Sequence, residues 1–362
     1  MEYVQLGDLI VAAKTNRCGD NDFPVLSITK NDGIVLQSEK FKKRIASKDT
    51  ADYKVVCRGQ LVQGIHIDEA NFGIQEVADI GIVSPAYKIW DIKSNSIVPK
   101  YLEIVLRSPR SIAYYASKFN GSIKRRERLS DKDFLQMRIP CPAVEAQIYA
   151  IDVLDKAIAL IDQRKQQLTE LDNLIKARFV ELFGTYPINP MGWKTGTIRD
   201  VVADVRYGSS RPAVDGGKYP YLRMNNITYG GELDLSDVKR IDVPENELEK
   251  CTVRRGDVLF NRTNSKELVG KTCVYDRDEM MVLAGFVIRV RVNDLVLPEF
   301  LSAFLNTDFS KRTLLGMCKA AIGQANINAQ EMQSMGIYIP PVELQKEFVQ
   351  FKNQTDKSKV VV

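Results

Sequence analysis

The side chains in this sequence with the most capacity for chemistry lie in polar segments rich in Arg, Lys, Asn and Gln. One segment, residues 118–132, contains the cations Lys124, Arg125, Arg126 and Arg128. A second, residues 323–328, contains Gln324, Asn326 and Asn328. Arginine and the amide side chains bind guanine and adenine edges in the major groove of DNA. The segments therefore indicate recognition of DNA by hydrogen bonds, although a run of charge is more often a solvated loop.

Two further polar segments carry donors of the same kind. The run after the apolar residues 258–260 offers groups suited to DNA phosphates, namely Arg262, Thr263, Asn264, Ser265 and Lys266. The other run lies within or at the end of a predicted strand and contains Arg223, Asn225 and Asn226. For this second run, a DNA contact and a role in turning the chain are equally compatible with the sequence.

Catalytic signatures are missing from the same sequence. Gly270-Lys271-Thr272 ends like a phosphate-binding loop, but Ser265 stands where that motif requires glycine. The single histidine, His66, has no apparent nucleophile to assist, and the 6 cysteines are too scattered to suggest a zinc site. No GxGxxG motif for a dinucleotide or a methyl donor follows a predicted strand. We therefore predict no catalytic residue, no metal site and no cofactor.

The composition is that of a globular protein with more than one domain. At 362 residues the chain exceeds the usual size of a single core. Its 51 Lys and Arg residues against 46 Asp and Glu residues give a net charge of +5, which permits a nucleic-acid partner without requiring one. No run of about 18 apolar residues and no signal-peptide pattern is present. We expect a cytoplasmic protein without membrane association.

The elements that must position the polar segments occur twice. KVVCRGQLV at residues 54–62 matches TVRRGDVLF at residues 252–260, and VPKYLEIVLRSP at 98–109 matches LPEFLSAFLNTD at 297–308. The two copies are offset by about 198 residues, which is the signature of a tandem duplication. Each copy mixes short β-branched strands with amphipathic helices and lacks βαβ regularity. The sequence predicts two tandem-duplicated α+β domains, at residues 1–142 and 185–340.

A long uninterrupted helix is predicted between the two copies, at residues 143–184. Apolar residues recur there every three or four positions, and this 3.5-residue repeat is typical of a coiled coil. The seam consists of Ile151, Leu154, Ile158, Ile161, Leu168, Ile175, Phe179 and Leu182. At 1.5 Å per residue such a helix is about 60 Å long. An ordinary long core helix is the alternative.

A shortened helix with the same opening is predicted after the second copy, at residues 341–362. The repeat places Lys352, Asp356 and Lys359 where the long helix has apolar seam residues. We therefore expect this helix to stop after about three turns. Much of the seam of the long helix, around residues 161–182, should then need cover from another protein, a second copy of the chain or its own domains.

Several motifs together resemble one protein family. They are GDVLFNRTNS at residues 256–265, IPPVELQKEF at 339–348, SPAYKIWDI at 84–92, IPCPAVEAQ at 139–147 and ARFVELFG at 177–184. Each motif is weak alone, but their order and repeat spacing cover nearly the whole chain. In these features the chain resembles the specificity subunit of type I restriction–modification enzymes.

The resemblance implies a non-catalytic subunit with two target recognition domains. Each domain would bind one half of a bipartite sequence in double-stranded DNA, and the helices would pair antiparallel to set the spacing of the halves. The coil would also dock methyltransferase subunits, to which restriction subunits can be added. The short second helix departs from the family pattern, so a partner or a second copy would have to complete the coil. The alternative is a coiled-coil scaffold that binds protein and has no nucleic-acid role.

Overall fold

A computed structural model describes residues 2–30, 32–40, 49–118, 129–265, 268–318 and 325–361. The chain forms two compact units, unit 1 (Met1–Ile161) and unit 2 (Asp162–Val362). Both units mix short strands with helices, so the predicted α+β fold class is confirmed. No helix within the described ranges is long and apolar enough to cross a membrane.

Unit 1 is built from short strands and helices that precede a long helix. In chain order its elements are β1 (Tyr3–Gln5), α1 (Leu6–Leu9), β2 (Ile10–Ala12), β3 (Leu26–Thr29), β4 (Gly33–Leu36), α2 (Gln37–Lys40), β5 (Lys54–Cys57), β6 (Leu61–Gln63), β7 (Phe72–Ile74), β8 (Ile80–Val83), β9 (Lys88–Ile92), α3 (Pro99–Leu106), α4 (Pro109–Lys118), α5 (Asp131–Gln136), β10 (Arg138–Pro140) and the first part of α6 (Val144–Phe183).

The central sheet of unit 1 has four antiparallel strands in the order β2-β9-β6-β7. Its apolar face packs on an aromatic cluster in which the rings of Phe72 and Trp90 each lie 5.4 Å from the ring of Phe134. Phe134 comes from α5, whose first turn is capped by the Ser130 hydroxyl. This cap satisfies a backbone N–H at the start of the helix and so fixes where α5 meets the sheet.

Unit 2 repeats the same kinds of element after the end of α6. In chain order they are β11 (Lys194–Thr197), β12 (Val202–Tyr207), β13 (Tyr219–Leu222), β14 (Lys239–Ile241), α7 (Glu245–Cys251), β15 (Thr252–Val253), β16 (Val258–Asn261), β17 (Thr263–Asn264), β18 (Thr272–Val274), β19 (Met281–Leu283), β20 (Val287–Val292), α8 (Pro298–Leu305), α9 (Asp308–Met317), β21 (Ala325–Asn326), α10 (Ala329–Gln333), β22 (Gly336–Ile339) and α11 (Val342–Val361).

The central sheet of unit 2 has the order β12-β20-β16-β18 and is antiparallel throughout. In sequence order, the strands β12, β16, β18 and β20 correspond to β2, β6, β7 and β9 of unit 1. Corresponding strands occupy the same positions in the two sheets. The described part of unit 2 also contains a further sheet, β14-β13-β19-β15, a two-stranded sheet, β11-β22, and a two-stranded ribbon, β17-β21. The repeated strand order confirms the tandem duplication at the level of topology.

One buried glutamine in each unit makes the repeat visible atom by atom. The Gln147 side chain accepts a hydrogen bond from the backbone N–H of Val98 and donates to the carbonyls of Ser96 and Pro142. Gln345 does the same at the start of α11, where its partners are Leu297 N–H and the carbonyls of Leu295 and Pro340. Both side chains are fully buried. Each glutamine therefore connects the start of a seam helix, α6 or α11, to the loop that precedes α3 or α8 in its own domain.

The long helix is confirmed, and α11 corrects the prediction for its shorter companion. α6 is continuous over 40 residues, and α11 runs for 20 residues instead of about three turns. The polar seam residues do not end α11, because Lys359 bonds to Asp172 of α6 at 2.6 Å and to Asp356 at 2.8 Å. Phe348 packs on Phe179 with the ring centroids 5.3 Å apart. The reversed order of these two contacts shows that α11 lies antiparallel to the last part of α6.

The seam of α6 is covered toward its C-terminal end and exposed in its first half. Ile175, Phe179 and Leu182 pack in the core of unit 2, where α11 supplies part of their cover. The exposed seam residues belong instead to the first half of α6: Leu154, Ile158 and Ile161, with exposed fractions of 42%, 57% and 53%. The sequence left three sources of cover open for the seam around residues 161–182. For Ile175, Phe179 and Leu182 the cover comes from unit 2 of the chain itself, including α11.

Candidate nucleic-acid interface

One end of the central sheet in unit 2 brings several predicted contact residues together. Tyr207 ends β12, Phe286 directly precedes β20, and Arg262 directly follows β16. The backbone N–H of Arg262 donates to the Phe286 carbonyl at 3.0 Å, and Ile327 N–H donates to the Arg262 carbonyl at 2.9 Å. The second bond joins the sheet end to the ribbon β17-β21, in which Thr263 pairs with Asn326. We call this group of residues the ribbon face.

Close backbone contact holds Tyr207 beside the turn that carries Phe286. Gly208 donates its N–H to the Val287 carbonyl at 3.2 Å, and Ser209 donates to the Leu283 carbonyl at 2.6 Å. A side chain at Gly208 would collide with the carbonyl oxygens of that turn. Glycine is therefore required at this position, because only a residue without Cβ lets the two backbones approach so closely.

Arg262 is held by an aromatic ring and by no carboxylate among the described residues. Its guanidinium lies 5.0 Å from the ring centroid of Tyr207. The Tyr207 hydroxyl accepts a hydrogen bond from the backbone N–H of Ala329 at 2.9 Å, which fixes the ring beneath the guanidinium. Such stacking orients the planar cation without consuming its hydrogen-bond donors. Arg262 is half-buried, with its Nε buried and without a hydrogen-bond partner among the described residues.

Most other arginines of unit 2 are neutralised by nearby acids. Within the described part of the unit, carboxylate partners are found for Arg178, Arg206, Arg211, Arg223, Arg255, Arg277, Arg289 and Arg291. Arg262 differs from these arginines because it is stacked on Tyr207 and has no carboxylate partner among the described residues. The other described arginines of unit 2 for which no carboxylate partner is found are exposed, whereas Arg262 is half-buried. A cation that the fold orients but does not neutralise is the arrangement expected for an anionic or hydrogen-bonding ligand.

The ribbon places two asparagines and two hydroxyl residues next to Arg262. The Thr263 hydroxyl donates to Asn326 Oδ1 at 3.3 Å, and Asn264 Oδ1 accepts from Ser265 N–H at 2.8 Å. In both asparagines the carbonyl oxygen is therefore engaged, whereas the amide nitrogen has no partner among the described residues. Amide groups and arginine donors on one short ribbon can bind base edges, and the Ser265 hydroxyl can bind a phosphate.

Two of the predicted contact residues, Asn226 and Asn328, use their side chains in hydrogen bonds that stabilise the fold. Asn226 is buried, donates to the carbonyls of Asp234 and Asp237, and accepts from Arg223 N–H. It therefore turns the chain after β13, which was the alternative that the sequence left open. Asn328 caps α10, since its Oδ1 accepts from the N–H groups of Gln330 and Glu331. Its carbonyl group is fully used by the helix start.

The rest of the predicted residues lie elsewhere. Arg223 pairs with Asp237 at 2.7 Å, and its exposed neighbour Asn225 belongs to the turn after β13, away from the ribbon strands in sequence and in sheet. Six predicted contacts lie outside the described residues: Lys124, Arg125, Arg126, Arg128, Lys266 and Gln324. In unit 1, the corresponding end of the sheet carries Gln63, which is buried and accepts a hydrogen bond from Trp90 Nε1 at 2.9 Å.

Two buried or half-buried lysines support the loop beside the ribbon face. Lys271 donates to the carbonyls of Met224 and Ile227, and Lys311 of α9 donates to the Gly270 carbonyl at 2.6 Å. Burial lowers the pKa of both ammonium groups, and for Lys311 burial together with the nearby Lys271 charge lowers the pKa to about 8. Both cations bind backbone carbonyls, so they hold the loop beside the ribbon face in place.

The sequence did not point to Tyr207 or Phe286. An aromatic residue beside glycine occurs at both places, in Tyr207-Gly208 and Gly285-Phe286, and this pairing at a predicted strand end was the available signal. Nothing local in the sequence shows that the two segments, about 80 residues apart, meet at one sheet end.

Comparisons with known proteins agree with this architecture. Residues 190–360 match the family model described as the type I restriction modification DNA specificity domain. The EcoKI specificity subunit of Escherichia coli (strain K12) is 24% identical over 229 residues, which are 59% of this chain and 49% of that protein. The putative MjaX specificity subunit of Methanocaldococcus jannaschii is 24% identical over 171 residues, which are 46% of this chain and 40% of that protein. The chain thus spans about half or less of the length of these relatives.

A solved structure shares the fold over nearly the whole chain. It comes from work on complex assembly and conformational transition of the type I R-M system, and it aligns over 99% of this chain and 91% of its own with a TM-score of 0.60 and 17% identity. Duplicated α+β domains on a long helix therefore form a fold that a type I restriction–modification component also has. The family model and the named relatives thus show that this chain is similar to type I restriction–modification specificity subunits, the family that its sequence motifs resemble.

Proposed function

We propose that this chain is a non-catalytic DNA-recognition subunit in which each unit binds one half of a bipartite sequence in double-stranded DNA. The observation that carries the proposal is the arrangement of Arg262, which is stacked on Tyr207, has no carboxylate partner among the described residues and lies beside the ribbon asparagines. On this proposal Arg262 donates two hydrogen bonds to one base, which in the major groove selects guanine. Asn264 and Asn326 contact neighbouring base edges.

The remaining predicted contacts take supporting roles in the proposal. Ser265 and Lys266 bind phosphates and set the register of the domain on the duplex, while Thr263 holds Asn326 through its hydroxyl. In unit 1 the phosphate contacts fall to the cations of residues 118–132, and Gln324, which precedes β21 in sequence, contacts a base edge. Because each phosphate contact releases counterions, binding should weaken steeply with salt.

The first half of α6 is the proposed docking surface for methyltransferase subunits. Leu154, Ile158 and Ile161 are exposed on one helix, and the neighbouring Tyr149 is exposed to 70%. An apolar stripe of this kind usually marks an interaction site. Restriction subunits would join through the methyltransferase, and a second copy of the chain would compete for the same stripe.

The test measures sequence preference with the methyltransferase subunit present. The wild-type complex and the Arg262→Ala variant are each used to enrich binders from a random duplex pool. Losing a bidentate base contact should weaken binding about 5- to 150-fold and relax the preference at one base pair of one half-site. Arg255→Ala is the matched control, because Arg255 precedes the opposite end of β16 and pairs with Asp278 at 2.7 Å. It should leave the preference unchanged.

The contrary outcomes are distinct. Enrichment of a split motif that is identical for wild type and Arg262→Ala would refute the role of Arg262 while leaving DNA recognition intact. No enrichment by the wild-type complex at any salt concentration would refute DNA recognition and favour the protein-binding scaffold.

A further inference from the structure

Phe286 and Tyr207 are exposed aromatic residues of the ribbon face, and the proposed recognition of DNA assigns no contact to Phe286. Its side chain is 53% exposed, although the residues on both sides of its turn, Leu283 and Val287, are buried. Its backbone carbonyl accepts the hydrogen bond from Arg262 N–H, so the Phe286 and Arg262 backbones are adjacent. Phe286 therefore occupies a fixed place in the row of residues proposed to face the DNA.

The turn that carries Phe286 is held rigidly on both sides. Gly285 N–H donates to the Ser209 carbonyl at 2.7 Å, and Val287 N–H donates back to the Ala284 carbonyl at 2.9 Å. Added atoms at Gly285 would come within 3.2 Å of the Ser209 carbonyl. A single exposed apolar side chain is ordinary on a protein surface. This one differs because backbone hydrogen bonds fix its turn against the Tyr207–Ser209 segment on one side and against Arg262 on the other.

Within the major groove, one base edge offers an apolar group. Thymine presents its C5-methyl group there, whereas the other edges present hydrogen-bond donors and acceptors, and apolar side chains are the natural contacts for that methyl. Tyr207 is not suited to the task, because its ring face lies under the Arg262 guanidinium and its hydroxyl is bonded to Ala329 N–H. The ring of Phe286 makes no aromatic or cation–π contact with another described residue.

From this placement we propose that Phe286 recognises the C5-methyl group of a thymine next to the base bound by Arg262. The inference rests on the proposed function, since it requires the ribbon face to enter the major groove. It assigns Phe286 as a specificity-determining residue and Tyr207 as a positioning residue that acts through Arg262. The ligand chemistry is a methyl-bearing pyrimidine, so 5-methylcytosine at the same position would also satisfy the contact.

Deoxyuridine provides the test, because it differs from thymidine by that methyl group alone. Each thymidine of the selected target is replaced in turn by deoxyuridine, and the affinity of the complex with its methyltransferase is measured for wild type, Phe286→Ala and Phe286→Leu. One replacement in one half-site should weaken wild-type binding about fourfold, as expected for one buried methyl group. The same replacement should have no effect on Phe286→Ala, and Phe286→Leu should retain part of it.

Arg262→Ala supplies the independent control. That variant should bind more weakly but keep the deoxyuridine effect, because the methyl contact belongs to another residue. A half-site without thymine, or a deoxyuridine effect that persists in Phe286→Ala, would overturn the proposal.

Insertion of Phe286 between base pairs would overturn it as well. Insertion would appear as brightening of 2-aminopurine at one base step that depends on Phe286, with no response to deoxyuridine. Each of these results leaves DNA recognition standing. Only the absence of any sequence-selective binding by wild type would remove the proposed function together with the inference.

Discussion

Replacement of Lys359 by Met tests how the polar half of α11 stays bound to α6. The ammonium group of Lys359 lies 2.6 Å from Asp172 Oδ1, 2.8 Å from Asp356 Oδ1 and 3.3 Å from Glu232 Oε1, and its side chain is only 14% exposed. Methionine keeps most of the apolar stem and removes the charge. The change therefore isolates the ion pairs from the packing of the side chain.

The expected cost follows from the exposure of the three acids. Removing one member of a fully buried pair costs about 3–5 kcal/mol, whereas exposed pairs contribute about 0–1 kcal/mol. The Asp172 and Glu232 side chains are half exposed, and the more buried Asp356 keeps a second partner in Lys352 at 2.5 Å. We therefore expect a loss of about 1–2 kcal/mol for the attachment of the last turns of α11.

The pH dependence of this loss has a defined sign. Burial alone raises the pKa of Asp356, but hydrogen bonds from Lys352 and Lys359 outweigh it and lower the pKa below its ordinary 3.8. A lowered carboxyl pKa stabilises the fold above the unfolded value, and that contribution disappears as the pH falls through the folded value. The pKa of Lys359 is raised, so its contribution is complete below 10.5. The difference between wild type and Lys359→Met should thus be largest near neutral pH and shrink below about pH 4.

Hydrogen exchange measured by mass spectrometry is the suitable assay, because it reports the opening of α11 separately from the rest of unit 2. Amides near residues 352–361 should exchange about 5- to 30-fold faster in Lys359→Met, which corresponds to 1–2 kcal/mol. Lys357→Met is the control, since Lys357 is exposed on the same helix and forms no ion pair within the described chain. Equal exchange in the two variants, or equal acceleration at residues 342–350, would refute the assignment of the network.

Two further changes test the frame of the domains and the support of the ribbon face. Gln345→Ala leaves three buried backbone groups without their partner and should destabilise unit 2 by about 3 kcal/mol, as Gln147→Ala should do in unit 1. Hydrogen exchange resolved by unit checks this, and a loss shared equally by both units in either variant would contradict it. The pKa of Lys311 is about 8 in the folded protein and 10.5 in the unfolded chain. The free energy of unfolding of wild type should therefore rise by up to about 3 kcal/mol between pH 8 and 10.5, and Lys311→Met should lack this rise. Urea denaturation at pH 7.5 and 10 measures the difference, and parallel behaviour of the two proteins would contradict the role of the buried ammonium.

The parts of the fold that the sequence predicts well are those fixed by local pattern and repetition. The heptad spacing of α6 determines one helix, and the repeated Gln147 and Gln345 fall at the same step of two duplicated domains. Neither the heptad spacing nor the repeat determines the order of the strands in the sheets. It depends on pairings between distant segments, such as Tyr207 of β12 with Ile288 of β20. For this reason the sequence identifies the polar segments and cannot say which of them share a sheet end.

The sequence did not reveal the structural roles of several polar residues, and the physical reason is the same in each case. Asn226 and Asn328 are polar residues in turns, and an asparagine that caps a helix or turns the chain has the same composition signal as one that contacts DNA. Lys359 and Asp356 are polar residues on an apolar seam. Whether they stabilise or end α11 depends on the presence of a partner, such as Asp172, on the facing helix. In each case the deciding information is a contact across the fold, not a property of the residue.

The two units combine a constant frame with a variable sheet end. In unit 2 the stacked Arg262 follows β16, whereas in unit 1 Gly64 follows the buried Gln63 of the corresponding strand β6. The buried glutamine at the base of each seam helix has equivalent backbone partners in both units. Because the frame is held by backbone contacts and apolar packing, side chains at the sheet end can change without disturbing it. On the proposed function, the two duplicated domains can therefore select different half-sites while they attach to their helices in the same way.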